Sequence, residues 1–321
     1  MKTSICKVIH QMGGNILGLP TQLKRIQKAI QKDIEESKML AAKFLINQMK
    51  LEGVYENIQD AEFKVFSQWG DDGIIQYLVH QLKLKFEKFV EFGVQNYRES
   101  NTRFLLMNNN WEGLVIEGDK KCIDFIIRDY IYWRYALKAV HAFINKDNIN
   151  KILKENHFSD EIGLLSIDID GNDYWIWNAV HEVEPIIVII EYNGLFGDQH
   201  SITVPYDPQF IRTQAHYSNL YWGTSLKALC LLAAKKGYEF VGSNSNGNNA
   251  YFVRKDKIGK LRTLSVKQGY MKAKYRESRD QDGKLTYLSN DECIEVIGDM
   301  PVYDVEADII FKIKELFRNR S

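Results

Sequence analysis

Two short apolar segments, each ending in an acidic residue and a glycine, constrain the fold most. The first spans residues 89–93 and contains Glu91, and the second spans residues 114–119 and contains Glu117. Buried strands of a parallel sheet appear as continuous apolar runs, so an acid at the end of such a run lies at the rim of the sheet. The two segments therefore predict an α/β protein whose parallel sheet presents carboxylates at one edge.

The second acid leads to the first functional hypothesis. A carboxylate that closes the second strand of a Rossmann-like sheet can accept hydrogen bonds from two ribose hydroxyls, so Glu117 is predicted to bind an adenosine-type cofactor. The loop after the first strand, residues 94–99, lacks the repeated glycines that let a backbone approach a pyrophosphate. A cofactor without phosphates, S-adenosylmethionine, is therefore favoured.

Composition argues against several classes of protein. The 321 residues carry 42 Lys and Arg against 42 Asp and Glu, so no net field attracts nucleic acid. The most apolar run, residues 186–190, is far too short to cross a bilayer. The cysteines, which form no C-x-x-C pair, argue against structural zinc and suit a reducing compartment; they are Cys6, Cys122, Cys230 and Cys293. We expect a cytoplasmic protein with free thiols, no nucleic-acid partner and no integral membrane segment.

Strand and helix signals alternate along the middle of the chain. Strands are predicted at residues 88–93, 113–118, 136–144, 163–169, 185–192, 238–243 and 250–254, and helices at 99–109, 122–130, 174–180 and 225–236. Five βα units followed by a helix and a hairpin describe a class I methyltransferase-like (Rossmann-like) fold. It is a mostly parallel seven-stranded sheet with helices on both faces and an antiparallel C-terminal hairpin.

Three regions are predicted along the chain. Residues 1–60 form an N-terminal amphipathic helical extension, 61–256 the catalytic domain, and 257–321 a helical, charged extension. The apolar residues Leu23 and Ile26 begin a stripe with helical spacing, which predicts packing on the domain or on a second copy of the chain. A membrane-surface role is less favoured, because the polar face of the helix is mixed rather than basic. The charge-dense segment 275–280 has no chemical assignment; a solvated helix face or a subunit contact is expected.

A set of motifs resembles one enzyme family. Residues 66–73, 89–93, 99–103 and 111–117 hold a serine-glutamine element, an acid-ending strand, an S-N-T helix start and a W-x-G-x-x-x-E strand, in this order. Together they resemble the FkbM-type S-adenosylmethionine-dependent methyltransferases over roughly residues 66–254. The resemblance implies O-methylation of a hydroxyl group on a sugar, a glycan precursor or another polar small molecule.

The predicted cofactor site includes residues that precede the first strand and residues at its end. The resemblance implies that Gln68 and Asp72 cover the methionine end of the cofactor; a cap on the helix that begins near Asp71 is the alternative for Asp72. Glu91, followed by Gly93, is predicted to bind the cofactor's amino group. The alternative for Glu91 is that it fixes the following loop by accepting backbone hydrogen bonds.

The densest group of acids follows the fourth strand. Asp168 and Asp170 lie on one face of the strand end because strand side chains repeat every two residues, and Asp173 lies just beyond. Such close acids repel each other unless a positive partner joins them. Three positive partners fit this place: the sulfonium of the cofactor, a divalent cation such as Mg²⁺, or a proton on an acid that acts as general base. The first of these adds Asp168 to the predicted cofactor site. Glu191 and Asn193, after the fifth strand, offer further oxygen ligands for a metal.

The same cluster also has a purely structural interpretation. Asp170, Asn172 and Asp173 can shape a turn and cap the next helix. The arrangement resembles the metal-dependent sugar O-methyltransferases as well, although those usually end the fifth strand with paired aspartates.

Residues 194–223 form a long segment that is predicted to be the acceptor lid. The catalytic residues are predicted to be Asp168, with Asp170 or His200 as the base, and a position in a surface loop is the alternative for His200. Tyr206, Tyr221 and Trp222 are candidates for stacking on a sugar or for packing the lid.

Two other classes of protein compete with the methyltransferase. The first is a nicotinamide-dependent oxidoreductase or nucleotide-sugar enzyme, which the glycine-poor loop after the first strand disfavours. The second is a non-catalytic protein that retains the fold.

Overall fold

The structure, a computed structural model, describes residues 2–274 and 276–317, without the side chains of residues 2–21, 24, 25 and 28. Cys6, and Tyr275 at the start of the charge-dense segment 275–280, lie outside the described side chains. The chain divides after Gln48 into two compact units. The domain boundaries predicted at 60 and 256 stay predictions.

Eleven α-helices are present in the described chain. They are α1 (Lys2–Glu52), α2 (Asp71–Leu82), α3 (Lys120–Arg128), α4 (Tyr130–Arg134), α5 (Ile149–Glu155), α6 (Asp173–Ala179), α7 (Arg212–Ala215), α8 (Leu226–Lys236), α9 (Val266–Gly269), α10 (Asn290–Val296) and α11 (Ile313–Phe317). The predicted amphipathic segment is thus one long helix, α1. Among its described side chains, Leu23, Ile26, Ile30, Leu40 and Phe44 are exposed.

In the part of the chain that the structure describes, ten strands form two sheets. They are β1 (Lys88–Phe92), β2 (Glu112–Glu117), β3 (Leu137–His141), β4 (Asp160–Ile167), β5 (Val183–Glu191), β6 (Ile202–Thr203), β7 (Tyr238–Ser243), β8 (Asn249–Arg254), β9 (Pro301–Asp304) and β10 (Ile309–Lys312). The large sheet has the order β3-β2-β1-β4-β5-β8-β7. Strands β1 to β5 are parallel, and β8 is antiparallel to both β5 and β7. This confirms the predicted class I methyltransferase fold.

The core lies on both faces of the large sheet. Alternate residues of each central strand face opposite sides, so Phe89 and Leu164 join one apolar cluster while Val90 and Leu165 join the other. Burial of both faces explains the continuous apolar runs from which the strands were predicted.

The strand order reverses at β1, which has β2 on one side and β4 on the other. In open α/β sheets, ligands bind outside the carboxyl ends of the strands at such a switch point.

The second sheet was not predicted. Its order is β10-β9-β6, so the C-terminal strand β9 pairs with β10 on one side and, on the other, with Ile202–Thr203 inside the segment predicted as a lid. A third apolar cluster, which includes Leu220, Ile297 and Val302, packs beside it. The C-terminal region therefore contains strands as well as the expected helices.

Local details of the predicted helices also differ. The helix expected at 99–109 is largely a π-helical turn at Leu105–Asn109. The helix expected at 122–130 is split into α3 and α4, because the Asp129 carboxylate accepts the backbone N–H of Ile131 and starts a new helix. Among the described residues, no helix combines the length and the apolarity that a membrane crossing requires. Cys122, Cys230 and Cys293 are free thiols, as predicted.

Candidate active site

A cavity of about 420 Å³ opens at the carboxyl edge of the large sheet, at the switch point beside β1. The predicted site residues that line it are Gln68, Gly93, Glu117, Asp168, Asp170 and Glu191. Asp72, Glu91, Asn193 and His200 are not among its lining residues. The structure thus gathers six of the ten predicted positions around one space.

Glu117 ends β2 and lines the cavity. Its Oε2 accepts the backbone N–H of Gln95 at 2.8 Å, and its Oε1 accepts that of Asp119 at 2.8 Å. These two bonds fix the orientation of the carboxylate, and each oxygen retains a lone pair for a further donor. The group is therefore preorganised to accept two hydroxyl groups from the cavity.

Gly93, directly after β1, packs against Asp168, directly after β4. Its φ is +74°, and a Cβ atom there would lie 1.6 Å from the carbonyl oxygen of Asp168. Only glycine fits this approach. The glycine in the sequence pattern is explained by this packing, which also shapes the cavity wall.

Glu91 takes the role that the sequence analysis gave as the alternative. Its carboxylate accepts hydrogen bonds from Ser100 Oγ at 2.6 Å, from the backbone N–H of Asn101 at 2.9 Å, and from the N–H and hydroxyl of Thr102. It is only 4% exposed and lies off the cavity. Glu91 therefore fixes the loop between β1 and the π-helical turn and does not reach the cavity.

Asp72 and Gln68 lie on the chain that leads into α2. Asp72 is buried, and its Oδ2 accepts the backbone N–H groups of residues 65–67 together with the Ser67 hydroxyl. It therefore holds the preceding loop rather than capping α2 or contacting the cavity. Gln68 is exposed at the cavity rim.

Asp168, Asp170 and Glu191 form the acidic wall of the cavity. One carboxylate oxygen of each lies within 4.8 Å of those of the others. Removal from water, and then repulsion from the neighbouring acids, raises the pKa of Asp168 and of Glu191 well above their ordinary values. Among the described residues, Glu191 Oε2 is buried with no hydrogen-bond partner. The wall is therefore rich in negative charge and favours a cationic or proton-bearing occupant.

Asp170 and Asp173 have different roles. Asp173 is fully buried, and its two oxygens accept the backbone N–H groups of Ile169 and Gly171 at 2.9 Å each, which shapes the turn as the structural interpretation predicted. Burial raises the pKa of Asp173 to about 7. Asp170 lies in the left-handed region, with φ of +58°, and directs its carboxylate to the cavity.

Arg212 and Glu277 complete the charged lining, and the sequence analysis missed both. Arg212, on α7, donates from Nη1 to Asp170 Oδ1 at 2.8 Å and from Nη2 to Glu277 Oε2 at 3.4 Å. Burial opposes ionisation of Glu277, but the hydrogen bond from Asn219 and the charges of Arg212 and Arg279 hold the pKa of Glu277 below its ordinary value. The only available signals were one arginine in the predicted lid and one acid in a charge-dense segment.

Asn193 and His200 do not reach the cavity, so both predictions are corrected. The Asn193 amide is buried and donates to the carbonyls of Leu220 and Trp222, while its oxygen accepts the N–H of Leu195. Asn193 therefore fastens the lid segment and is not a metal ligand. The His200 ring lies 5.0 Å from the ring of Phe317, beside the second sheet.

The lid aromatics pack the segment rather than lining the cavity. Tyr221 and Trp222 are buried, and Tyr221 donates its hydroxyl to the carbonyl of Pro301 at 2.6 Å. The Tyr206 hydroxyl accepts the backbone N–H of Lys146. Phe210 is the aromatic residue of the lid that lines the cavity.

The opposite wall of the cavity is largely apolar. It is formed after β2 and β3 by Ile116, Gly118, Ala142, Phe143 and Ile144. Phe143 is 49% exposed, so part of its ring is available to a planar ligand. The cavity is therefore lined by an apolar wall, by the hydroxyl-accepting carboxylate of Glu117 and by the acidic wall.

Comparisons with known proteins return structures only. No family model and no curated protein match the sequence. The O-methyltransferase from Bacillus cereus in complex with SAH is 13% identical, with a TM-score of 0.38 over 68% of this chain and 91% of that chain. The N-terminal domain of EvdMO1 with SAH and D-fucose is 10% identical, with a TM-score of 0.37 over 71% and 97%. TomG from Streptomyces achromogenes in complex with SAM is 10% identical, with a TM-score of 0.37 over 62% and 90%. The fold class follows from the strand order and not from these similarities.

Proposed function

We propose that the chain is an S-adenosylmethionine-dependent O-methyltransferase that acts on a hydroxyl group of a sugar, a glycan precursor or another polar small molecule. The position of Glu117 carries the proposal. It closes β2 at the switch point of the sheet, on the wall of the cavity, with both oxygens already oriented by backbone N–H groups. A carboxylate in this place suits the two ribose hydroxyls of an adenosine cofactor.

The other walls of the cavity are proposed to bind the other parts of the cofactor. The apolar wall at Phe143 suits the adenine ring, and Gly93 with Gln68 borders the methionine end. Asp168 and Glu191 suit the positive sulfonium, because their carboxylates lie close together on the cavity wall and a cation there would offset their mutual repulsion.

When bound, the cofactor supplies an electrophilic methyl group. The chain then contributes position, since methyl transfer is an in-line displacement that depends mainly on alignment. Asp168 is proposed to take the acceptor proton, because its carboxyl group lines the cavity next to the space proposed for the acceptor. The polar lining at Asn172 and the ring of Phe210 face the remaining space, where the acceptor is proposed to bind.

A divalent cation is the second occupant that fits the acidic wall. Asp168, Asp170 and Glu191 would supply hard oxygen ligands of the kind that Mg²⁺ prefers. It would supply charge neutralisation next to the acceptor oxygen. Comparing methyl transfer to a panel of sugars in Mg²⁺ and in a chelator tests this part of the proposal: equal rates would exclude the metal requirement.

Titration calorimetry tests the proposed cofactor. We predict that S-adenosylhomocysteine binds the wild type and that Glu117→Gln weakens its binding by about tenfold or more, since a charged acceptor of two hydroxyls is lost. Glu112→Gln is the matched control: it changes an acid on the same strand that pairs with Lys88 and does not line the cavity. Binding of NAD without binding of S-adenosylhomocysteine would instead support the oxidoreductase.

We also propose that α1 joins two copies of the chain. Leu23, Ile26 and Ile30 are all more than half exposed on this helix. A stripe of this kind suits a second amphipathic helix. The cytoplasmic location predicted from the cysteine pattern stays a prediction.

A further inference from the structure

Arg212 is the single cation among the described residues that line the cavity, and its contacts hold it in one place. In addition to its bonds to Asp170 and Glu277, its Nε donates to the carbonyl oxygen of Asn219 at 2.9 Å. The guanidinium carbon lies 4.6 Å from the centre of the Trp222 ring, and the side chain is only 17% exposed. A planar guanidinium that is bonded and stacked in this way has a defined position and keeps its charge.

The partners of Arg212 come from separate parts of the chain. Asp170 follows β4, whereas Glu277 belongs to the C-terminal region, and Arg212 itself lies in the lid. Asn219 reinforces the arrangement, because its amide donates to Glu277 Oε1 at 3.2 Å. Arg212 therefore places one positive charge at a fixed point between two carboxylates of the cavity, those of Asp170 and Glu277.

This pairing determines which acids of the lining have no ion pair with Arg212 among the described ion pairs, although the charge of Arg212 also opposes the rise in the pKa of Glu191. The acidic residues of the lining are Glu117, Asp168, Asp170, Glu191 and Glu277. Asp170 and Glu277 are in ion pairs with Arg212. Asp168 and Glu191 have one another as neighbours and lie at the carboxyl ends of β4 and β5.

We propose that Arg212 is a positioning residue that sets the charge of the cavity: its single positive charge offsets part of the negative charge of Asp170 and Glu277 and leaves Asp168 and Glu191 to face the sulfonium of the methyl donor. This inference rests on the proposed function, because the sulfonium belongs to the proposed cofactor.

The two forms of the cofactor separate a charge effect from a packing effect. S-adenosylmethionine carries the positive sulfonium, and S-adenosylhomocysteine is the same molecule with a neutral thioether. A change in local packing alters the affinity for both. A change in the charge of the cavity alters the ratio of the two dissociation constants, because only one ligand carries the extra charge.

The experiment is titration calorimetry of wild type, Arg212→Gln and Glu277→Gln with both ligands, in a chelator so that no metal contributes. We expect Arg212→Gln to favour S-adenosylmethionine over S-adenosylhomocysteine by about threefold to tenfold more than the wild type does, as one partly screened charge would. Glu277→Gln should shift the ratio in the opposite direction. Arg212→Lys, which keeps the charge without the planar fork, should retain the wild-type ratio even where both affinities fall.

Arg254→Gln is the matched control. Arg254 is 15% exposed, pairs with Glu161, Glu184 and Asp256, and does not line the cavity. Its loss should leave the ratio unchanged. Thermal unfolding of each variant checks that it is folded, and if Arg212→Gln does not fold, Glu277→Gln and Arg212→Lys decide.

Opposite shifts in the two charge-removing variants support the inference. An unchanged ratio in both, or a shift in the same direction, overturns it and leaves Arg212 with a packing role alone. Failure of the wild type to bind S-adenosylhomocysteine is a separate result, which refutes the proposed function itself.

Discussion

Asp72 is a buried carboxylate whose protonation is linked to folding. Burial raises its pKa to about 6, although the hydrogen bonds from Val65, Ser67 and Phe66 oppose this shift. The unfolded chain has the ordinary aspartate pKa near 4. The folded state therefore binds the proton more tightly, and the stability that this contributes at low pH is lost as the pH rises through about 6.

The variant Asp72→Asn tests this linkage. Asparagine is neutral at every pH, and its side-chain oxygen can still accept the bonds from residues 65–67. We predict that the free energy of unfolding of the variant, relative to that of the wild type, rises by about 2–3 kcal/mol between about pH 4 and pH 7. Urea denaturation across this range measures the difference, and a difference that does not vary with pH would contradict the assignment.

Residue roles were predictable only where a pattern distinguishes them. Glu117 directly follows an apolar run and lines the cavity as expected. Glu91 has the same sequence pattern, but its carboxylate accepts hydrogen bonds from the Ser100 hydroxyl and from the N–H and hydroxyl of Thr102. No sequence pattern indicated a role for Arg212. Its role depends on Asp170 and on a C-terminal glutamate, and contacts so distant in sequence leave no local signal.

At the scale of elements, the β1 loop and the end of β4 fit together through one glycine. The positive φ of Gly93 and its approach to the Asp168 carbonyl are separate constraints. The first costs an alanine about 1–2 kcal/mol through backbone strain. The second requires the two strand ends to move apart, because the obstructing atom is part of the backbone.

We predict that Gly93→Ala lowers the free energy of unfolding by more than about 3 kcal/mol and abolishes cofactor binding, since both strain and overlap act at the cavity wall. Gly237→Ala is the control, because Gly237 has φ of +84° at the end of α8 and nothing lies within 4 Å of an added Cβ. It should show the strain alone. Denaturant unfolding and calorimetry measure both, and equal losses for the two variants would contradict the overlap.

The elements of the large sheet were predictable because burial on both faces leaves a continuous apolar run in every central strand. The second sheet was not, since β6 is only two residues long and β9 and β10 are only four residues each. Such short strands are defined by their partners. Ile202 pairs with Asp304, and no periodicity in either segment indicates that contact.

At the scale of the whole molecule, the C-terminal region belongs to the site. It supplies Glu277 to the cavity and the strand that pairs with the lid, and the Tyr221 hydroxyl bonds to Pro301 of that strand. The predicted solvated or subunit-contact role of the charge-dense segment does not describe Glu277.

The proposed dimer is a second property of the whole molecule. We predict that the wild type has twice the mass of one chain in light scattering, and that the double variant Ile26→Asp and Ile30→Asp is a monomer, because charges on the apolar stripe prevent helix pairing. Ile309→Asp with Ile310→Asp, two exposed isoleucines of β10, is the control and should remain dimeric. A monomeric wild type would refute the dimer.

A crystal structure with S-adenosylhomocysteine bound tests the central claim most directly. The account predicts both ribose hydroxyls within hydrogen-bonding distance of the Glu117 carboxylate, adenine against Phe143 and the sulfur facing Asp168. A ligand bound elsewhere, or a Glu117 side chain that contacts no part of it, would contradict the account.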